Sequence, residues 1–464
     1  MGGKENEGIA LRAYQKQAIR AWEENGYCGL FEMATGTGKT FTALSCAKVL
    51  LENQGRLTLL ILVPILPLSV QWRSDVKGQL RLSKVILANS QNKEWYKEAL
   101  FQLSLPIEGN SFCIIATYAT FLTYRFQDVL AKLDEDTFLI ADEVHNFGTS
   151  KHIEKYPKHI SRRLGLSATP NRYFDEDGTT SVFDFFKAID KPTFQFGMAE
   201  AIENGYLSEY YYYPRIVSLN EEELDEYKAI SLKLLKYFQK EGGLKEESSV
   251  VTSLLLKRKR IIHKAANKLE VFREIMGELI KSGKEINHLL VYVPEGRDLT
   301  IDDEDSRLIN TYSQIISNEF KLTQHQFIGV TAERQNVLKQ FSEGRIAVLT
   351  AMKCLDEGVN IKRAETAIFC SSTGNPRQFI QRRGRLLRTH PKKKFAIIYD
   401  LIVVPEITNQ YFEDSLWMER SLLQNELRRV HEFAGLALNQ YQALKVLEDK
   451  ALEFDLDIYS KPSF

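Results

Sequence analysis

Short, uninterrupted apolar runs recur along this chain, and they limit its fold more than any other feature. In the first half they occupy 58–63, 85–87, 112–116 and 137–141, with helix-like stretches between them. A strand that is apolar at every position has both faces buried, and such strands joined by helices build a parallel sheet covered on both sides. The pattern resumes at 288–293, 326–330, 346–350, 366–370 and 395–399, after a long charged, helical stretch at 221–284. Two tandem α/β domains with parallel sheets are therefore expected. Their bounds are 1–205 and 206–403, the second including the helical segment 221–284, and a helical tail follows at 404–464. The tail places Leu422, Leu423, Leu427 and Val430 at helical spacing, for packing onto the second domain or for docking a partner.

Between a short apolar run at 29–32 and a helical pattern at 41–51 lies MATGTGKT, residues 33–40. A loop that opens a helix presents consecutive backbone N–H groups to an anion. Gly36 and Gly38 let the chain wrap closely, Lys39 adds a point charge, and Thr40 offers a hydroxyl to a magnesium ion. Thr35 and Thr37 lie in the same cradle. The strict phosphate-loop pattern wants glycine where Met33 stands, so a plain glycine-bearing turn remains the alternative at this point.

Two further groups bear on that choice. At the end of the apolar run 137–141, Asp142 and Glu143 put two carboxylates where open α/β sheets bind their ligands. Asp142 suits a metal-holding role and Glu143 the orientation and deprotonation of an attacking water. In the second half, 378–388 reads QFIQRRGRLLR. Arg385 and Arg388, three apart, would share a helical face and reach a γ-phosphate; a basic helix for a nucleic-acid backbone is the other reading.

Composition excludes several classes. Lys plus Arg and Asp plus Glu are 61 each, so no global field draws in nucleic acid, and such binding must be local. The five cysteines are scattered without a C-x-x-C pair, which predicts buried thiols rather than disulfides or zinc. His145, His152 and His159 recur at a spacing that suits no metal. The polar start lacks a signal peptide's apolar core, and the longest apolar run is broken by Pro64 and Pro67, so a soluble, cytoplasmic protein with no membrane partner is expected.

Taken in order, 11–19 (LRAYQKQAI), MATGTGKT, DEVH at 142–145, LGLSATP at 164–170, DEGVNI at 356–361 and QRRGRLLR at 381–388 resemble the motif series of superfamily 2 helicases. The nearest look-alikes are XPB-type helicases and the motor subunits of type I and III restriction systems. The resemblance covers 11–388 and implies two RecA-like domains with ATP and Mg²⁺ between them and nucleic acid across their top. It implies that Gln15 reads the adenine, and that Thr35, Gly36, Thr37, Gly38, Lys39 and Thr40 hold phosphates and metal, with Asp142 as the other metal residue. It makes Glu143 the base and Ser167, Ala168 and Thr169 the coupling segment. Gln381, Arg385 and Arg388 complete the catalytic set, while Gly358 and Asn360 contact the nucleotide. Family members also tolerate a residue other than glycine at the position of Met33. Asn360 departs from the aspartate of many relatives, which weakens that contact.

Nucleic-acid contacts follow from the same resemblance: Pro64, Gln71 and Trp72, then Thr117, then Thr350. Trp72 is either a base-stacking ring or a core residue, and the basic run 257–260 tracks a phosphate backbone or is a solvated helix face. Tyr210, Tyr211, Tyr212 and Tyr213 read as a strand entering the second domain, with every second ring buried. The chain is thus expected to be an ATP-dependent helicase or translocase, DNA favoured over RNA, serving restriction, anti-phage defence or repair. The region preceding the first domain in XPB-type proteins has no room here, which weighs against repair. The rival expectation is a non-unwinding, ATP-switched clamp that recruits a separate nuclease.

Overall fold

A computed structural model describes residues 10–106, 109–172, 175–241, 249–295, 307–328, 331, 333–352, 361, 363–371, 376–404 and 413–459. The chain divides into two compact units, Met1–Leu207 and Ser208–Phe464.

In the first unit seven strands form one sheet: β1 (Cys28–Met33), β2 (Thr58–Val63), β3 (Lys84–Ala88), β4 (Phe112–Thr117), β5 (Phe138–Asp142), β6 (Arg162–Ser167) and β7 (Phe194–Phe196). They lie in the order β3-β4-β2-β5-β6-β1-β7, and every pairing is parallel. β4 and β5 are buried at every position, as expected for strands covered by helices on both faces. Glycine at 165 in β6 is needed for close packing, because a Cβ there would come within 2.8 Å of Leu30 Cδ1.

The second unit repeats the architecture with β8 (Tyr210–Val217), β9 (Leu289–Tyr292), β10 (Gln324–Phe327), β11 (Val348–Ala351), β12 (Thr366–Phe369) and β13 (Ala396–Val403). The order β10-β11-β9-β12-β13-β8 is again wholly parallel. The run expected at 326–330 begins as a strand two residues earlier, and its last two residues lie outside those described. Tyr210 and Tyr212 are fully buried while Tyr211 and Tyr213 face outwards and stack on each other, with ring centroids 6.3 Å apart.

The segment 221–284 forms the helices Glu221–Glu241, Ser249–Lys264 and Lys268–Lys281. Within the basic run 257–260, Arg258 is buried, paired with Glu419 at 2.7 Å and bonded to the Tyr227 hydroxyl at 2.5 Å; its three neighbours are exposed. Arg258 is therefore a structural cation that ties this helix to the tail.

The tail helix Glu413–Ala434 packs into the second unit, with Leu423, Leu427 and Val430 buried and Leu422 partly so. Below it lies a buried charge network. Asp400 accepts from the Tyr212 hydroxyl at 2.8 Å and pairs with Arg429 at 3.2 Å, which in turn pairs with Glu426 at 2.7 Å. Burial pushes the Asp400 carboxyl above its ordinary value, and the Arg429 charge opposes that shift. The tail also covers the open edge of β8: Asn439 exchanges two 2.9 Å hydrogen bonds with the Tyr212 backbone, and Leu438 N–H donates to Tyr210 O. An uncovered edge strand is a template for unwanted pairing, and these groups satisfy it.

Among the described residues no helix is long and apolar enough to cross a membrane. Cys28, Cys46, Cys113 and Cys370 are buried free thiols, and Cys354 lies outside the described residues.

Arg429→Ala should strand the Asp400 carboxylate without its cation and destabilise the second unit by about 3–5 kcal/mol. Urea unfolding followed by circular dichroism measures this; a loss below about 1 kcal/mol would contradict the network's structural role.

Candidate nucleotide site

The phosphate-type loop runs from the end of β1 to the helix Lys39–Gln54. Gly36 and Gly38 have φ of 94° and 90°, the left-handed region that glycine enters without steric cost. Met33 needs no such freedom. It is the last residue of β1, fully buried and paired in register with Phe196, so an ordinary side chain suits the position where the strict pattern asks for glycine. The Met33 carbonyl accepts a 3.1 Å hydrogen bond from Lys39 Nζ.

The loop is braced from below by the helix Ala13–Glu24. Tyr14 donates its hydroxyl to the Thr37 carbonyl and stacks on Phe196 at 3.9 Å. Gln15 is buried against the loop, its amide nitrogen only 3.0 Å from where a Cβ on Gly38 would stand, and its amide oxygen accepts from Arg12 N–H. Thr37 Oγ1 donates to the Ala34 carbonyl at 2.7 Å. Thr35 Oγ1 is buried without a hydrogen-bond partner among the described residues. A buried hydroxyl left so is costly, and at a loop of this shape a phosphate oxygen would satisfy it.

β5 ends at Asp142, whose carboxylate is held from two sides. Trp72 Nε1 donates to Oδ2 at 2.8 Å, and Glu143 N–H donates to Oδ1 at 3.0 Å. Burial raises the Asp142 carboxyl above its ordinary value, while the Trp72 bond and the charge of Lys39 pull it down. The phosphate-loop lysine and the first acidic residue are thus electrostatic neighbours. Glu143 sits at φ 46° and ψ 55°, a left-handed conformation that costs a non-glycine residue of the order of 1 kcal/mol or more and is concentrated at functional turns. Asp142, a hard oxygen donor beside Lys39, is of a kind that suits Mg²⁺, and Thr40 carries a second such oxygen in the first turn of the helix that the loop opens.

His145 joins this pair to Ser167-Ala168-Thr169. Its Nδ1 lies 3.7 Å from Glu143 Oε2 and 3.4 Å from Ser167 Oγ, and Ser167 Oγ accepts from Thr169 N–H at 3.1 Å. Arg172 donates to the His145 carbonyl. Tyr118 supports the pair from behind, its hydroxyl donating to the Asp142 carbonyl at 2.8 Å. The sequence groups Tyr118 with Thr117 in a strand-contacting motif, whereas its hydroxyl faces the Asp142 backbone; the DExH signature alone points to His145, and nothing in the sequence points to Arg172.

Several expected residues stand elsewhere. Trp72 is only 1% exposed and cannot offer its ring to a base; its work is to hold Asp142. Thr350 is also fully buried, its hydroxyl 3.2 Å from Ser313 Oγ, which removes it from a strand-contacting surface. Val63, the residue before Pro64, pairs with Thr117, which is itself buried with its hydroxyl accepting from Thr120 N–H; Gln71 is exposed.

In the second unit Gln381 and Arg385 lie on the helix Pro376–Leu386, four residues apart and so on one face. Arg388 does not share that helix, which ends at Leu386. The two arginines are nonetheless close: burial lowers the Arg388 guanidinium to about 9, and the like charge of Arg385 adds to that shift. Arg383 is structural, bonded to the Tyr210 hydroxyl at 3.2 Å and to the Glu432 carboxylate at 2.6 Å. Gly358 and Asn360 lie outside the described residues.

Comparison with known proteins agrees with these features. Residues 8–172 match the family described as "Type III restriction enzyme, res subunit", and 267–390 match "Helicase conserved C-terminal domain". The chain is 26% identical to the DNA 3'-5' translocase XPB2 of Sulfurisphaera tokodaii, over 85% of this chain and 82% of that one. It is 24% identical to the putative DNA 3'-5' helicase Rad25 of Haloarcula marismortui, over 84% of this chain but only 52% of that protein. In fold it resembles an ATP-dependent type ISP restriction-modification enzyme, LlaBIII, solved bound to DNA, with a TM-score of 0.63 at 15% identity; the match covers 99% of this chain and 33% of that one. The chain is a superfamily 2 helicase-type ATP hydrolase with two RecA-like domains, related to XPB-type helicases and to restriction-enzyme motors.

Proposed function

We propose that the chain hydrolyses ATP to move along DNA. The observation that carries this reading is the neighbourhood of Lys39, Asp142 and Glu143 beside a glycine loop that opens a helix. The description of the Sulfurisphaera relative as a DNA 3'-5' translocase supports DNA as the track and 3'-5' as the direction. In this reading the backbone from Thr35 to Thr40 and the Lys39 ammonium cradle the phosphates, and Gln15 reads the adenine. Thr40 and Asp142 would hold Mg²⁺, which when bound offsets the charge that develops on the transferred phosphoryl group.

From a left-handed backbone position at the end of β5, Glu143 orients the attacking water and takes its proton. Ser167, Ala168 and Thr169 pass the state of that carboxylate on through His145. Gln381, Arg385 and Arg388 stabilise transition-state charge, and Gly358 and Asn360 contact the nucleotide. Pro64, Gln71 and Thr117 belong to the strand-contacting surface, where phosphate contacts suit a motor indifferent to sequence. The domain bounds 1–205, 206–403 and 404–464 form part of this proposal. The family match to a restriction subunit supports a role in defence alongside a separate effector such as a nuclease.

Steady-state ATPase assays without polynucleotide, then with single-stranded DNA, duplex DNA and RNA, test the reading. DNA should stimulate most; stronger stimulation by RNA would contradict the track, and equal rates throughout would favour an ATP-switched clamp. Glu143→Gln should lower kcat at least about 100-fold while ATP still binds, and retained turnover would refute the base assignment. Trp72→Phe keeps the ring but deletes the donor to Asp142, and should weaken Mg²⁺-dependent activity roughly tenfold. A Mg²⁺ titration indistinguishable from wild type would contradict Trp72's positioning role.

A further inference from the structure

We propose that the start of the helix Tyr124–Leu130 in the first unit is a stacking subsite for an unpaired nucleobase, with Tyr124 as its platform and Arg125 and Lys155 as its phosphate contacts. The proposal rests on the reading of the chain as a nucleic-acid motor and names a residue set which that reading does not contain.

Tyr124 is 86% exposed, the most exposed large apolar side chain among the described residues. Other tyrosines of this unit are treated differently: Tyr14 and Tyr118 are buried with their hydroxyls bonded. The backbone beneath Tyr124 is held from several directions. Thr123 Oγ1 donates to Thr120 O at 2.7 Å, Gln127 Nε2 donates to Phe121 O at 2.6 Å, and Lys155 Nζ donates to Leu122 O at 2.9 Å. Phe121 and Phe126 anchor this segment in the core. A ring so exposed on so fixed a base is preorganised for a flat ligand.

Charge around the ring favours a polyanion. The Arg125 guanidinium lies 5.8 Å from the Tyr96 ring centroid, and the Lys155 ammonium is fixed at the Leu122 carbonyl. The Asp128 carboxylate is engaged by the Tyr96 hydroxyl at 2.7 Å and by Lys132. A protein hot spot would require an apolar surround that excludes water, whereas Tyr124 is flanked by exposed Thr123 and Arg125. Stacking between a base and a tyrosine needs only the ring face and tolerates any sequence.

Position agrees with charge. This helix follows β4 by way of the short helix Tyr118–Phe121, and the end of β4 at Thr117 pairs with Val63, so the segment leaves the same sheet edge as Asp142 and Glu143. Tyr118, at the start of this segment, is bonded to the Asp142 backbone, which ties the subsite to the acidic pair.

The test uses the full chain and a fluorescently labelled oligothymidylate, with binding read by anisotropy. Tyr124→Ala should weaken single-strand binding roughly tenfold, and Tyr124→Trp should retain it. The added tryptophan emission, measured against wild type, should be quenched by the oligonucleotide and not by an abasic strand of equal length. Wild-type affinity in Tyr124→Ala, or emission indifferent to the bases, overturns the subsite while leaving the motor reading in place. Absence of single-strand binding by the wild-type chain overturns the subsite, and only absence of duplex binding as well overturns the motor reading. Loss of a co-purifying protein from Tyr124→Ala with oligonucleotide affinity intact reassigns the ring to a protein partner and overturns the proposal.

Discussion

Because each sheet is parallel, every strand delivers its carboxyl end to the same edge, and that constraint assembles the site. β1 supplies the glycine loop, β5 supplies Asp142 and Glu143, and β6 supplies Ser167, all at one edge of one sheet. None of these groups is near another in sequence. Burial on both faces of β4 and β5 makes their register hard to shift, so the geometry at the edge inherits the rigidity of the core. An antiparallel arrangement of the same segments would scatter those groups between two edges.

At that edge the acidic pair is a junction. The Asp142 carboxylate is gripped by Trp72 and its carbonyl by Tyr118, while Glu143 faces His145, which also meets Ser167. One imidazole thus lies between Glu143 and Ser167, and one phenol joins the segment after β4 to the Asp142 backbone. Coupling between a nucleotide and a track needs such a short chain of packed, hydrogen-bonded groups with alternative arrangements.

Much of the architecture was legible because apolar runs and glycine placement act locally. The runs marked β2, β4, β5 and β12 because a doubly covered strand has no polar position to hide. The loop at 33–40 was legible because Gly36 and Gly38 are needed for their φ. What sequence could not supply was partnership. Trp72 resembled a strand-contacting residue, yet its indole points to a carboxylate seventy positions away. Arg385 and Arg388 looked like one helical face, but the helix stops between them; what brings them close is the turn after it. The basic run 257–260 hid one structural arginine, since Glu419 and Tyr227 come from distant segments. Thr350 hid its partner for the same reason, its hydroxyl facing Ser313 from a neighbouring helix.

The most direct measurement of the central claim is ATP-driven displacement of a third strand from a DNA triplex placed downstream of a duplex track. The account expects displacement that requires ATP hydrolysis and whose delay grows with track length. Robust ATP hydrolysis with no displacement at any track length would contradict it.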